Sequence, residues 1–353
     1  MKIKKETLRG YILEEVVAHL LRNAGYRLLT NPNQDPDSLA WERHGLVVHG
    51  RGTTHQADAL GQLSWIPAFT YPLRLFVEAK YRDSPTGLPT VRNAVGILLD
   101  VNQFNIPTAP NRNLIPIRQK YQYVSAIFST SGFTNPAADM SFAHGISLID
   151  LGTPDFAAVR SGIDETADLL IESFSGPEAP RRAKFVHNLR TALRHSFETI
   201  SDEPPEQDRE LQDEIRDRLG ETIQVTRATR ELFVGMANGP FMLALQADDP
   251  NAFLEFARNR PTHNVHISWR RSDNEGRTWH ITPIPQQQDY RLSFNLPEAL
   301  GDWIFNSENV QQTALNVKER YFSEIMIYRE AQDRDLLVRL RFNKREIERN
   351  DEH

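Results

Sequence analysis

Hydrophobic and polar positions along the chain fall into three regimes. In residues 6–24 the apolar positions Leu13, Val16, Val17, Leu20 and Leu21 recur at the helical interval, and Gly25 follows as a stop signal, which predicts an amphipathic helix. The period then drops to two. Tyr26–Thr30, Leu46–His49, Ala59–Leu63 and Leu75–Lys80 alternate as strands do, with a Pro/Asn/Asp-rich loop at 31–38 after the first. The short gap before Leu75 predicts that the last two pair as a hairpin or meander. A helical stripe returns at about 90–104 through Val91, Ala94, Val95, Leu98, Leu99 and Phe104. Tyr123–Thr130 reads as a buried strand, Thr134 as the cap of a helix at 135–144 ending at Gly145, and Ile146–Leu151 as a further strand.

From Thr153 onward the second regime is helical and heavily charged. Helices are expected over Asp155–Ser175, Arg181–Ser201 and Gln207–Leu219, broken by Gly176-Pro177 and Pro204-Pro205. So many charges suggest a solvated linker or docking element. The third regime, residues 221–353, mixes strands with short helices. Phe241–Gln246, Val265–Trp269 and Trp279–Thr282 alternate, Asp273–Gly276 marks a turn, and residues 322–328 and 336–342 suggest another hairpin. The expected division is therefore 1–153, a helical segment at 154–220, and an α+β, β-rich C-terminal domain at 221–353. Internal repeats, phosphate-binding loops and dinucleotide fingerprints are absent from the sequence.

Composition narrows the chemistry. The 353 residues include no cysteine, which excludes disulfides, thiolate zinc sites and a cysteine nucleophile. No apolar run reaches the roughly 18–20 residues that span a bilayer. The charged Met1–Glu6 start lacks a signal-peptide core, so a cytoplasmic location is expected. The net charge of −6 divides unevenly: residues 1–152 carry 15 Lys and Arg against 12 Asp and Glu, and the remainder carries 26 against 35. The first part is thus suited to phosphates and the second to protein contacts.

Candidate chemistry concentrates between residues 51 and 80. Glu78 and Lys80 lie two apart on one strand and so share a face. Pairing of Ala59–Leu63 with Leu75–Lys80 would bring Asp58 to the same sheet edge. Two carboxylates beside an amine suit a magnesium site that handles phosphate. Gln56, two before Asp58, is expected to line the same face. Ser129–Ser131 lie in no nucleophile motif, and His263, His266 and His280 sit in ordinary strand contexts.

Asp58 followed by Glu78-Ala79-Lys80 resembles the motif of the PD-(D/E)xK, or restriction-endonuclease-like, nucleases, and within them the Mrr-like restriction endonucleases. The likeness covers roughly the first 150 residues, including Gly10–Gly25, Ser125–Thr134 and Gly145–Asp150. The motif's proline is missing, replaced by the Gly-Arg-Gly and His-Gln approach to Asp58.

The resemblance implies a core with a mixed central sheet flanked by helices, and a Mg²⁺- or Mn²⁺-dependent endonuclease acting on double-stranded DNA in restriction or antiviral defence. It assigns metal ligation to Asp58, Glu78, the Ala79 carbonyl and Glu14 on the first helix, with Glu15 solvated. Lys80 would position the attacking water. His55, Arg51, Arg82 and Arg92 are candidate DNA contacts, and Arg112 and Arg118 lie in a loop that could touch DNA. A homo-oligomer is expected, since cutting two strands needs two sites. The acidic remainder suggests a partner such as a HerA-like motor ATPase on residues 154–353. The competing expectations are a junction-resolvase-like nuclease and a nuclease-fold scaffold that binds without cutting.

Overall fold

An unbroken apolar stripe at Leu8, Ile12, Leu13, Val16, Val17, Leu20 and Leu21 runs along α1 (Lys5–Asn23) and is fully or almost fully buried. The helix stops at Ala24 because Gly25 takes φ +88°, the left-handed region in which any side chain is strained. A Cβ at Gly25 would also lie 3.0 Å from the Tyr328 carbonyl oxygen. The computed structural model describes residues 3–42, 45–64, 70–104, 120–153, 156–176, 180–197, 199, 208–228, 232–238, 242–269, 278–285, 289–296, 298–329 and 335–342. The loop holding Arg112 and Arg118 and the turn at 273–276 lie outside them.

After α1 come β1 (Tyr26–Leu28), a 3-10 turn at Pro32–Gln34, β2 (Leu39–Glu42), β3 (Gly45–His49), β4 (Thr54–Gln56), β5 (Ala59–Leu63) and β6 (Leu73–Lys80). Then follow α2 (Leu88–Asn102), β7 (Gln122–Ser129), α3 (Asn135–His144) and β8 (Ser147–Asp150). The main sheet runs β1-β5-β6-β7-β8; β1, β5 and β6 are antiparallel neighbours, while β6, β7 and β8 are parallel. Alternation along β6 serves two cores. Leu75, Val77 and Ala79 join the cluster of α1, whereas Phe76 packs with Ile97 and Val101 of α2. β2, β3 and β4 form a separate antiparallel sheet that covers this second core through Leu39 and Val48. The molecule is thus mixed α/β.

The helical segment, for which a solvated linker or a docking element is expected, carries a buried apolar face. α4 (Ala157–Ser173), α5 (Arg182–Ser196) and α6 (Arg209–Arg218) bury Ile163, Leu170, Phe185, Leu189, Leu193 and Ile215 in the cluster that contains the α1 stripe, and Ile223 of α7 (Gly220–Ala228) packs against it. Most of their charged residues lie on the outer faces, so a high charge count coexists with a buried stripe. Lys5 Nζ donates to Asp168 at 2.7 Å and Arg9 to Asp164 at 3.2 Å, tying α1 to α4.

The C-terminal residues form a closed seven-stranded barrel. Its strands are β9 (Leu232–Ala237), β10 (Met242–Ala247), β11 (Thr262–Trp269), β12 (Thr278–Pro283), β13 (Leu292–Asn295), β14 (Glu324–Arg329) and β15 (Leu336–Arg341). They close in the order β10-β13-β12-β11-β15-β14-β9, antiparallel except between β11 and β15. α8 (Pro250–Asn259), α9 (Glu298–Phe305) and α10 (Val310–Tyr321) lie between strands. Trp279, Phe253, Phe322 and Phe294 dominate the core. Closure removes the open edges of an isolated sheet. Leu232 and Tyr328 extend from the barrel strands into the α1 cluster, so the barrel, whose own core is a separate cluster, packs against α1. No described helix is long and apolar enough to cross a membrane.

Candidate active site

The antiparallel register of β5 and β6 pairs Ala59 with Val77 and so carries Asp58 to the end of β6 where Glu78 and Lys80 emerge. The Asp58 amide donates to the Val77 carbonyl at 3.0 Å, and its Oδ2 accepts the Ala79 amide at 2.8 Å. Since a strand residue directs its N–H and C=O to the same neighbour, the Ala79 carbonyl shares that edge. Lys80 Nζ contacts Glu78 Oε1 and lies 3.8 Å from Asp58 Oδ2. All three side chains are mostly buried, with 17% (Asp58), 19% (Glu78) and 24% (Lys80) of the side chain exposed.

Glu14 approaches this group from α1. Its own partner is Arg190 of α5, which contacts its Oε2. Burial, opposed by Arg190 and reinforced by the Asp58 charge, raises the Glu14 carboxyl to about 7. Burial and then the Glu78 charge push Asp58 upward, against the pull of Lys80 and the Ala79 amide. Five ionisable groups (Glu14, Asp58, Glu78, Lys80 and Arg190) from two helices and one strand pair therefore feel one another in a low-dielectric setting, an arrangement that concentrates at reactive sites.

Glu15 is not the solvated neighbour expected from its position. It is 3% exposed and bonds Arg190 Nη1 at 2.9 Å and Arg194 at 2.8 Å through both Nε and Nη2. Burial opposes its charge, yet Arg194 and Arg190 outweigh it and hold the carboxyl below its ordinary range. Both arginines come from α5, outside the resemblance. The sequence carries one trace of them: α5 holds Arg182, Lys184, Arg190 and Arg194 with no acidic residue along its length. Helical charge without an i,i+4 partner invites a search for a tertiary one.

Beside Asp58 opens a cavity of about 930 Å³. Glu14, Gln56 and Asp58 line it with Trp41 of β2 and the α5 residues Arg182, His187 and Arg190. Gln56 and Asp58 border the same cavity. The four expected DNA contacts are placed elsewhere. His55 bonds Asp100 at 2.8 Å, and the same carboxylate accepts the Gly52 amide at 2.8 Å and the Thr53 amide at 3.2 Å. A Cβ at Gly50 would collide with that carboxylate, which accounts for the glycine in the approach to Asp58. Arg51 donates to Gln103 at 3.2 Å, Arg92 is exposed on α2, and Arg82 borders a separate small cleft with Arg160 and Asp164. None of the four borders the cavity at Asp58. In the barrel, His263 bonds the Arg260 carbonyl at 2.7 Å and the Tyr290 hydroxyl at 2.5 Å, and His280 bonds Ser293 at 3.0 Å, which satisfies them as strand residues.

Among the described residues, no three His, Asp or Glu side chains converge as a ready-made metal cage. Magnesium ordinarily takes one or two carboxylates and completes its shell with water and substrate phosphate. The Asp58–Glu78 pair fits that lesser demand, and Glu14, held by Arg190, stands outside it.

No family model and no curated protein matches the chain. Among solved structures, a crystallised protein of unknown function, AF1548, is similar at 18% identity with a TM-score of 0.34, over 62% of this chain and 99% of its own.

Proposed function

We propose that this chain is a metal-dependent nuclease of the PD-(D/E)xK type, built on a restriction-endonuclease-like core that comprises α1 and the β1–β8 region. The observation that carries the reading is the joining of Asp58 to Glu78-Ala79-Lys80 through the Ala79 amide and the Lys80 ammonium. Asp58, Glu78 and the Ala79 carbonyl would hold Mg²⁺ or Mn²⁺. The ion supplies Lewis acidity toward the scissile phosphate. Lys80, already beside both carboxylates, orients the attacking water and stabilises the charge that builds on phosphate oxygen. Gln56 borders the space in which the phosphate would lie. A role against foreign DNA, an oligomeric assembly and a motor partner extend the same resemblance.

Plasmid and linear DNA incubated with Mg²⁺, Mn²⁺ or EDTA test the reading. Cutting is expected only with metal, and Lys80→Ala should lower the rate by about 10²–10³ while DNA still binds. Undiminished cutting by a pure Lys80→Ala preparation would sink the assignment. One observation favours a second reading, a nuclease-fold scaffold: Glu14 and Glu78 each already have a cationic partner in Arg190 and Lys80. That protein would bind DNA and leave it uncut whichever metal is supplied.

A further inference from the structure

We infer that the cavity between α5 and the β2–β3–β4 sheet binds an unpaired nucleic-acid strand, with a base on Trp41 and its backbone along Arg182, His187 and Arg190. This rests on the nuclease reading for the presence of nucleic acid and adds the form in which it enters. Trp41 is 56% exposed and lines the cavity. An indole so exposed retains a free apolar face, and base–aromatic stacking is the interaction that face serves in proteins that hold single strands. Paired bases keep their faces inside the duplex, so only a nucleotide out of the stack can lie there.

The α5 wall supplies the cations of the cavity, whose other walls carry the carboxylates of Glu14, Glu15, Glu42 and Asp58. Arg182 and His187 are exposed at the cavity and form no ion pair among the described residues. Arg190, deeper, is held by Glu14 and Glu15. Arg182, Val186 and Arg190 follow one another at intervals of four, so the cations rise along a single helical face toward Asp58. A strand tracking this face would deliver its backbone to Asp58, the member of the carboxylate pair that lines the cavity. The cavity's roughly 930 Å³ falls within the range of about 300–1,000 Å³ typical of ligand pockets. Asn31 and Gln56 border the same space and carry the amide groups that read base edges.

The test is fluorescence anisotropy of the full-length chain in EDTA, with a labelled single strand of about 20 nucleotides and its duplex. The wild type is expected to bind the strand more tightly. Trp41→Ala should weaken strand binding about tenfold, as loss of one stacked base does, and leave duplex affinity within about twofold. Trp41→Phe should restore most of the loss. Arg182→Ala with His187→Ala should weaken the strand and flatten its salt dependence. Duplex preference by the wild type, or unchanged strand binding by Trp41→Ala, overturns the inference. The measurement needs no cleavage, so the two readings fail separately. Metal-dependent cutting without strand preference defeats this one alone, and strand binding through Trp41 without any cutting defeats only the nuclease.

Discussion

Glu14 and Glu15 are adjacent, similar in chemistry, and opposite in fate. One turn position sends Glu15 into a clamp of two arginines and leaves Glu14 between Arg190 and Asp58. With Glu14 raised from 4.5 to about 7, the folded chain keeps a proton that the unfolded chain has released across that interval. Its contribution to stability is therefore complete below the unfolded value and is lost as pH rises through 7, by at most about 1.4 kcal/mol per pH unit. Urea unfolding of the wild type and Glu14→Gln at pH 5 and pH 8 measures this. The wild type should lose stability relative to the variant on going to the higher pH; parallel behaviour would refute the placement of Glu14. The same pair shows what the sequence shows and what it withholds. Helical periodicity puts both glutamates on α1, but which one meets a cation depends on α5, some 175 residues away.

At the scale of elements, most of the main-sheet strands and the helices around them can be read from periodicity, because each is a local pattern. The β5–β6 pairing follows from two alternating runs with a short gap, and with it the convergence of Asp58, Glu78 and Lys80. What composition misreads is α5. Its outer face is basic and its inner face is apolar, so composition alone suggests a solvated helix, whereas Phe185 and Leu189 are wholly buried. Leu189→Ala should cost about 2–5 kcal/mol in denaturant unfolding. Because α5 also walls the cavity, Leu189→Ala should weaken nucleic-acid binding when measured below the unfolding transition. A change under about 1 kcal/mol would mean that α5 is the peripheral element its charge suggests.

For the whole molecule, net charge divided by sequence position is a poor guide. The stretch beyond residue 152 is acidic in sum, yet it supplies Arg182, Arg190 and Arg194 to the candidate site. The barrel is likewise no free appendage, since Leu232 and Tyr328 sit in the cluster of α1 and the Tyr328 carbonyl abuts Gly25. Calorimetry should therefore show one cooperative transition, because unfolding the barrel would expose apolar surface on α1. Two resolved transitions would show the contact between barrel and α1 to be energetically weak. The sequence by itself determined the alternating and helical runs, the pairing of Asp58 with Glu78-Ala79-Lys80, and the glycine that ends α1. These depend on contacts between near neighbours or on the conformation of single residues. Closure of the barrel, the burial of Glu15, the partner that holds His55 at Asp100 and the arginine wall beside Asp58 were decided by tertiary structure. Each brings together residues whose separation in the chain leaves no periodic trace, and their energies come from burial and charge pairing that exist only once the chain has folded.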